Sequence, residues 1–436
     1  MKVYFLTLGC RVNQYETDAL RRSFLDRGHE LAEKPEDADC CVVNTCSVTS
    51  EADRKSRQML RRMARLNPDT IVVAAGCSAE TTDGKVAADI VVGTRERLTI
   101  VDRAEKLFAE HKALIHEQDH VRPAVSKKDD YHDFGSVLSP EGCRAFMKIE
   151  DGCDSFCTYC IIPFARGRVA SRSRESCIKE AEFLAQSGFR EIIVSGIHLC
   201  SYGKDKGEDI MSLASLLKDI DNVKGIERLR LGSLEPISMT DEFIDELAGL
   251  KHICPSFHLS LQSGSDTVLK RMNRHYDSKG YASRVERLRA RFPDMSLTTD
   301  IIVGFPGETD EEFEETLRFA GEMGFARIHV FPYSLRKGTK AAEMEQVAPD
   351  VKKERETRLL ELASELSARF AKQMTGREAD ILVEKITGMK AYGYTGNYVR
   401  TEAVFAPEDD LPSPGDIIKG TVTDSRGAEI VLKTHL

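Results

Sequence analysis

Three cysteines stand at Cys153, Cys157 and Cys160, in the run Gly-Cys-Asp-Ser-Phe-Cys-Thr-Tyr-Cys. This C-x3-C-x2-C spacing lets one short loop aim three thiolates at a single metal centre. Three is one fewer than the four thiolates that close an ordinary [4Fe–4S] cluster. The fourth iron would stay open to a ligand, as a catalytic metal site keeps one position free. A zinc knuckle is the plainer alternative. Zinc sites pair C-x2-C with a second C-x2-C or with a histidine pair, and no such partner lies within thirty residues downstream of Cys160.

A second set emerges from the elements that must position it. Residues 3–8, 40–44 and 71–75 are short apolar runs rich in Val, Ile and aromatics, and read as buried parallel strands. Residues 14–27 and 51–66 carry helical patterning, with Ala52, Met59, Met63 and Leu66 on one face of the second. The order is βαβαβ, a doubly wound pattern in which ligands bind beyond the carboxyl ends of the strands. Cys10, Cys46 and Cys77 each follow one of these strands, with Gly9 and Gly76 permitting tight turns. Three cysteines at equivalent strand ends predict a second cluster, again with one open iron. Cys40, Cys41, Cys143, Cys177, Cys200 and Cys254 lack ligand-like spacing and read as small buried or incidental residues.

With 436 residues the chain should hold two to three domains. Its formal charge of −9 weighs mildly against a nucleic-acid partner, although local patches matter more than the total. No apolar run has the length of a membrane span, and the first residues turn polar too soon for a signal peptide. A cytoplasmic protein is expected. In a reducing compartment, clustered thiols among twelve cysteines point to metal binding or catalysis rather than disulfides.

The loop Cys153–Cys160 resembles the cluster loop of radical S-adenosylmethionine (SAM) enzymes, in which the open iron chelates the amine and carboxylate of SAM; Tyr159 matches the aromatic residue usual before the last cysteine. With Cys10, Cys46 and Cys77 in an N-terminal α/β domain, essentially the whole chain resembles the radical SAM methylthiotransferase family. The resemblance implies an enzyme that inserts sulfur into an unactivated C–H bond and methylates it. Leu-Gly-Cys-Arg-Val-Asn-Gln-Tyr-Glu and Ala-Asp-Arg-Lys-Ser-Arg-Gln look most like the branch acting on C2 of N6-threonylcarbamoyladenosine beside the anticodon of tRNA. Arg11-Val12-Asn13 stands where the ribosomal-protein branch has Pro-Lys-Asn and the isopentenyladenosine branch Gln-Met-Asn. Implied with it are two [4Fe–4S] clusters, SAM, catalytic roles for Cys153, Cys157 and Cys160, a low-potential electron donor, a sulfur source and a tRNA anticodon stem-loop. Alternatives are the same chemistry on isopentenyladenosine or on an aspartate of a ribosomal protein. An alternative of another class is a two-cluster electron carrier, which usually closes each cluster with four cysteines.

Residues 110–140, with Pro123, Lys127, Lys128, Asp129, Asp130 and Gly135, read as a linker. Strands are then predicted at 144–149, 190–195, 228–232, 256–260, 296–303 and 326–331, and helices near 174–187, 209–220, 240–250, 278–291 and 309–323. Six βα units imply a partial (β/α)6 barrel, with the cluster loop opening on the carboxyl face after the first strand. Gly196, Ser233, Glu235, Gln262 and Asp300 fall at or near those strand ends and are assigned to a SAM pocket, with Glu235 near the ammonium or ribose. His198 is a candidate proton carrier, or a packed histidine. Arg166 and Arg168, followed by Arg172 and Arg174, form a basic run beyond the cluster loop and are assigned to RNA phosphates. The helix bearing Arg57, Arg61 and Arg65 is a second basic surface, and Lys270, Arg271 and Arg274 a third.

A charged helix over 350–374 precedes short β runs at 379–386, 391–399, 402–405, 416–422 and 428–433. They predict a small antiparallel barrel, in the position of the RNA-binding TRAM domain of the family. Tyr392, Tyr394 and Tyr398 alternate and could stack on bases or be ordinary barrel residues, and Arg377, Lys385, Lys390 and Arg400 could form a basic patch. The expected domains are 1–115 around the second cluster, 139–370 as the radical SAM core and 373–436 as the RNA-binding barrel.

Overall fold

The structure is a computed structural model that describes residues 1–436 except 111–113, 115, 125–129, 139–141, 408 and 435–436. The linker positions Lys127, Lys128 and Asp129 lie outside the described residues. Among the described residues, the N-terminal region is a parallel sheet in the order Glu30–Leu31, Lys2–Thr7, Cys40–Thr45, Ile71–Gly76, Ile90–Val92. Alternation along its central strands feeds two separate cores. Cys40, Val42, Ile71 and Val73 pack with Leu20 and Phe24 on one face; Cys41, Val43, Val72 and Ala74 pack with Leu60 and Met63 on the other. A sheet apolar on both faces must be covered on both, so the doubly wound reading holds. The two edge strands, too short for a sequence pattern, were not foreseen.

The central region has six parallel βα units. Strands Arg144–Lys148, Glu191–Ser195 and Arg228–Leu231 form one hydrogen-bonded group; Ser233–Leu234, Ser256–Leu259, Ser296–Val303 and Arg327–Pro332 form the next. Arg228–Leu231 and Ser233–Leu234 are one strand interrupted at Gly232, so the groups are continuous, and Leu229 also bridges to Ile253, just before Ser256–Leu259. The first and last strands do not pair, so the barrel is open along one seam. Ala145, Met147, Leu229, Leu231, Phe257, Leu259, Leu297 and Ile301 enter the core beneath the outer helices. The alternate positions, Arg144, Arg230, His258, Asp300 and His329 among them, therefore face the enclosed side.

The helix Pro349–Gln373 leads to a closed barrel of five strands, Glu378–Thr387, Lys390–Thr395, Arg400–Val404, Glu429–Thr434 and Ile417–Arg426 in spatial order. This barrel docks under the amino ends of the central strands. Arg228 donates to the carbonyls of Tyr394 and Asp380, and Arg230 to those of Gly396 and Thr395. The docking corrects the stacking-face expectation. Tyr394 lies on Tyr398 at 4.7 Å between ring centroids, and Arg230 and Arg144 cover the Tyr398 ring at 4.6 and 5.3 Å. Tyr392 donates to Glu402. In the expected basic patch, Arg377, Lys390 and Arg400 are engaged by Asp294, Glu402 and Glu429.

Candidate active site

Cys10 caps the helix Arg11–Asp26, Cys46 follows the strand Cys40–Thr45, and Cys77 opens the helix Cys77–Thr81. Gly76, at φ +92°, has no room for a side chain against Asn44 and Thr45. Gly9 backs onto Cys46, where a Cβ would lie 2.9 Å from its Sγ. Arg166 ties the set together: its Nε donates to Cys77 Sγ at 3.2 Å and its Nη2 to Asn13 Oδ1 at 2.6 Å, the same oxygen that faces Cys10 Sγ at 3.8 Å. Burial pushes the Cys77 thiol up to about 12, Arg166 pulls it down, and Cys10 and Cys46 push it further up. The three sulfurs thus share one environment. So buried a thiol becomes an anion at neutral pH only when a cation replaces its proton, which is what metal ligation does.

The triad of Cys153, Cys157 and Cys160 lies beyond the strand Arg144–Lys148. Cys153 N donates to Gly167 O at 3.1 Å and Thr158 N to Met272 O at 3.0 Å, which tie the loop to its surroundings, and Cys160 N donates to Cys157 O at 3.0 Å, closing a turn within it. Burial pushes the Cys153 thiol up to about 11. Arg274 Nη1 donates to Cys157 Sγ at 3.3 Å. Each triad therefore has one buried guanidinium on one sulfur, and both donor sets fit an anionic, thiolate-ligated centre.

The strand-end residues divide into two groups. Gln262, at φ +70°, and Asp300 line a cavity of about 210 Å3. Its other walls are Val48 and Thr49 from the loop after Cys46, Tyr159, Cys160 and Ile161 from the cluster loop, and Phe331 and Tyr333 from the last strand end. Ser50 N donates to Ser334 Oγ at 2.7 Å, latching the Cys46 loop onto that strand end. Gly196, Ser233 and Glu235 lie outside this cavity's lining. Gly196 makes room for Glu150, whose Oε2 would stand 2.7 Å from a Cβ there and accepts from His198 N. Glu235 accepts from Arg274 at 2.5 Å and faces His198 Nε2 at 3.6 Å. Burial works to raise the Glu235 pKa, but His198 and Arg274 outweigh it and hold the carboxyl below its ordinary value. Ser233 is exposed.

The basic residues also divide. Arg166, placed on RNA by the sequence reading, is buried, with Glu16 at 2.8 Å and Asp151 at 3.1 Å from its Nη1. That is a correction: a run of four arginines looks solvated when the acids that meet it lie far off in sequence. Arg172 is likewise buried against Glu180, and Arg274 lies at the cluster loop rather than on a surface. Arg168 lies over the Phe156 ring at 4.6 Å and pairs with Asp154. Arg57 pairs with Asp53, whereas Arg61 and Arg65 are exposed. Sequence reasoning missed Glu150, Glu16, Arg97, Lys148 and Asp151; the only signal was charge in or beside apolar segments.

The Radical SAM superfamily profile matches residues 147–320, and that of the uncharacterized protein family UPF0004 matches residues 2–93. The chain is 40% identical over 428 residues to the threonylcarbamoyladenosine tRNA methylthiotransferase MtaB of Bacillus subtilis, covering 96% of this chain and 92% of that one. It is 36% identical to the tRNA-2-methylthio-N(6)-dimethylallyladenosine synthase of Clostridium botulinum, covering 87% and 85%. Among solved structures, the radical SAM methyltransferase TsrM of Kitasatospora setae shares the fold, with TM-score 0.55 and 16% identity over 78% of this chain and 75% of that one. No helix among the described residues is long and apolar enough to cross a membrane. Matching such relatives over nearly its whole length, the chain belongs to the radical SAM methylthiotransferase family of enzymes.

Proposed function

We propose that this enzyme adds a methylthio group to C2 of N6-threonylcarbamoyladenosine next to the anticodon of tRNA. Cys153, Cys157 and Cys160 would hold the SAM-binding [4Fe–4S] cluster that a radical SAM domain implies, and Cys10, Cys46 and Cys77 a second. The observation that carries the reading is the shared cavity, walled by the loop that follows Cys46 and by the loop that bears Cys160. Radical formation and sulfur transfer must address one carbon, and a compartment walled by a loop from each three-thiol set supports the reading that both would reach it. When bound, the clusters and SAM supply one-electron cleavage, hydrogen abstraction, sulfur and methyl; a low-potential electron donor and a sulfur source complete the balance.

The chain's own residues bind, orient and exclude water. Gln262 and Asp300 offer an amide and a carboxylate inside the cavity, and Ile161, Ile302, Phe331 and Tyr333 give it apolar walls. Glu235 fixes Arg274 against Cys157. Gly196 and Ser233, at strand ends outside that cavity, would be further contacts for SAM. Exposed Arg61 and Arg65, with Arg57 and Arg168 beside acids, offer phosphate contacts to the tRNA named for the relatives. Mass spectrometry of tRNA nucleosides from a strain lacking this protein should show loss of the 2-methylthio form and build-up of threonylcarbamoyladenosine. Plasmid copies carrying Cys46→Ala or Cys157→Ala should fail to restore it. Loss of methylthiolated isopentenyladenosine instead, or no loss from tRNA, would refute the reading.

A further inference from the structure

The enclosed side of the partial barrel is polar where a packed barrel would be apolar. His258 Nδ1 lies 3.0 Å from Thr298 Oγ1 and its Nε2 3.4 Å from Asp300 Oδ2. His258, Asp300 and His329 have side-chain ligand atoms within 4.8 Å of one another. At the amino end, the charges pair off: Glu384 meets Arg144, and Glu191 meets Arg228 and Arg230. Arg11 does not join them. It enters from the N-terminal region, with its guanidinium 5.6 Å from the Phe146 ring of the first strand and 5.8 Å from the Tyr398 ring, and donates to Tyr398 Oη at 3.0 Å. Phe146 alternates with Ala145 and Met147 and so lies on the enclosed face of the first strand, across the open seam from the last strand and its His329. His329 holds its proton less readily than a free imidazole, chiefly through burial, with Arg327, His258 and Arg11 pushing the same way and Asp300 opposing. Arg11 thus stands at the open seam. It is exposed, and among the described residues no carboxylate comes within ion-pair distance of it.

We infer that Arg11 reads the carboxylate of the substrate's N6 substituent, with the polar wall of His258, Asp300 and His329 facing the hydroxyl and ureido groups beside it. This rests on the function proposed above. An unpaired guanidinium presents a planar fork of donors suited to a carboxylate. A hydrocarbon substituent in the same place would desolvate Arg11, two imidazoles and a carboxylate without replacing their hydrogen bonds, and a site built for polar groups rejects such an analogue strongly. Sequence order adds a ruler. Arg11 is the first residue of the helix that Cys10 caps, so the residue that reads the substituent and a thiol of the second triad share one turn. A substrate anchored by its carboxylate presents its base at a set distance from that thiol.

The test compares reconstituted wild-type enzyme, Arg11→Gln and Arg11→Lys. Each meets anticodon stem-loops carrying threonylcarbamoyladenosine as the free acid, as its methyl ester, or with unmodified adenosine. On the free acid, Arg11→Gln should lower kcat/KM about ten- to a hundredfold, the range for losing a hydrogen bond to a charged group, and Arg11→Lys should recover part of it. Esterification should cost the wild type a similar factor and Arg11→Gln little, because the two changes remove the same interaction. Equal losses for Arg11→Gln on acid and ester would make Arg11 a structural residue and overturn the inference. So would a wild type indifferent to esterification, an arm that needs no variant to fold. If the wild type did not prefer the threonylcarbamoyl loops to the unmodified one, the proposed function itself would fall. A wild type that preferred them, with Arg11→Gln discriminating acid from ester equally well, would overturn the inference alone.

Discussion

Arg166 and Arg274 perform the same local task at the two triads, each placing one N–H on a cysteine sulfur. Hydrogen bonds and positive charge at cluster sulfurs favour the reduced, more negative state and so raise the reduction potential. Arg166→Gln should therefore lower the potential of the cluster proposed at Cys10, Cys46 and Cys77. The measurement is an EPR-monitored redox titration in a background where Cys153, Cys157 and Cys160 are Ala, so that a single cluster is observed. A tenfold change in the reduction equilibrium would appear as about 59 mV for one electron; an unchanged or raised potential would refute the assignment. The cysteines were legible in the sequence because ligand spacing and strand-end position are local properties. The arginines were not, because nothing local separates a guanidinium that meets a sulfur from one that meets water.

At the scale of elements, the helix Ser50–Leu66 shows how position sorts charge. Thr49 caps it, accepting from Ala52 N at 3.1 Å, directly after the Cys46 loop. Ser56, Leu60 and Met63 face the core. Periodicity alone puts Ala52, Met59, Met63 and Leu66 on that face, yet Leu66 is exposed; apolar residues flank the true stripe on both sides, so the pattern permits a rotated choice. What the rotation leaves outside is a row of arginines. Arg61 and Arg65 are exposed, while Arg57 is occupied by Asp53. Replacing Arg61 and Arg65 together by Ala should weaken tRNA binding and flatten its dependence on salt. The slope of log affinity against log salt should fall by roughly 0.7 for each single-stranded phosphate that is no longer neutralised. Arg57→Ala should move it less, because Asp53 already competes for that guanidinium. Filter binding from low to moderate salt would measure this, and unchanged slopes would make the helix an ordinary solvated face.

Across the whole molecule, strand periods and turn residues made the regions legible in order and type, but not how they dock. The N-terminal and central regions meet through a buried ionic group whose members are far apart in sequence. Glu16 and Asp151 face Arg97, Lys148 and Arg166, with Glu16 at 2.9, 2.9 and 2.8 Å from the three cations. Two anions against three cations leave one positive charge in excess. An oxidised [4Fe–4S] core with three thiolates carries one negative charge, and Arg166 touches Cys77, so the excess faces the site of the second triad. Burial alone would raise the Glu16 carboxyl, but Arg166, Arg97 and Lys148 outweigh it and hold the pKa at about 2 against an ordinary 4.5. A depressed carboxylate contributes its full stability above the unfolded value, and the contribution is lost as pH falls from 4.5 towards 2. Removing one partner from a buried ion group leaves uncompensated charge and costs about 3–5 kcal/mol. Glu16→Gln should therefore melt well below the wild type at neutral pH, and the gap should close as the iron-free proteins are acidified through that window, because the wild type then loses the same charge. Differential scanning fluorimetry of both proteins from pH 7 downward reads the gap directly. A constant gap, or none at neutral pH, would show that the interface is held by packing rather than by this charge group.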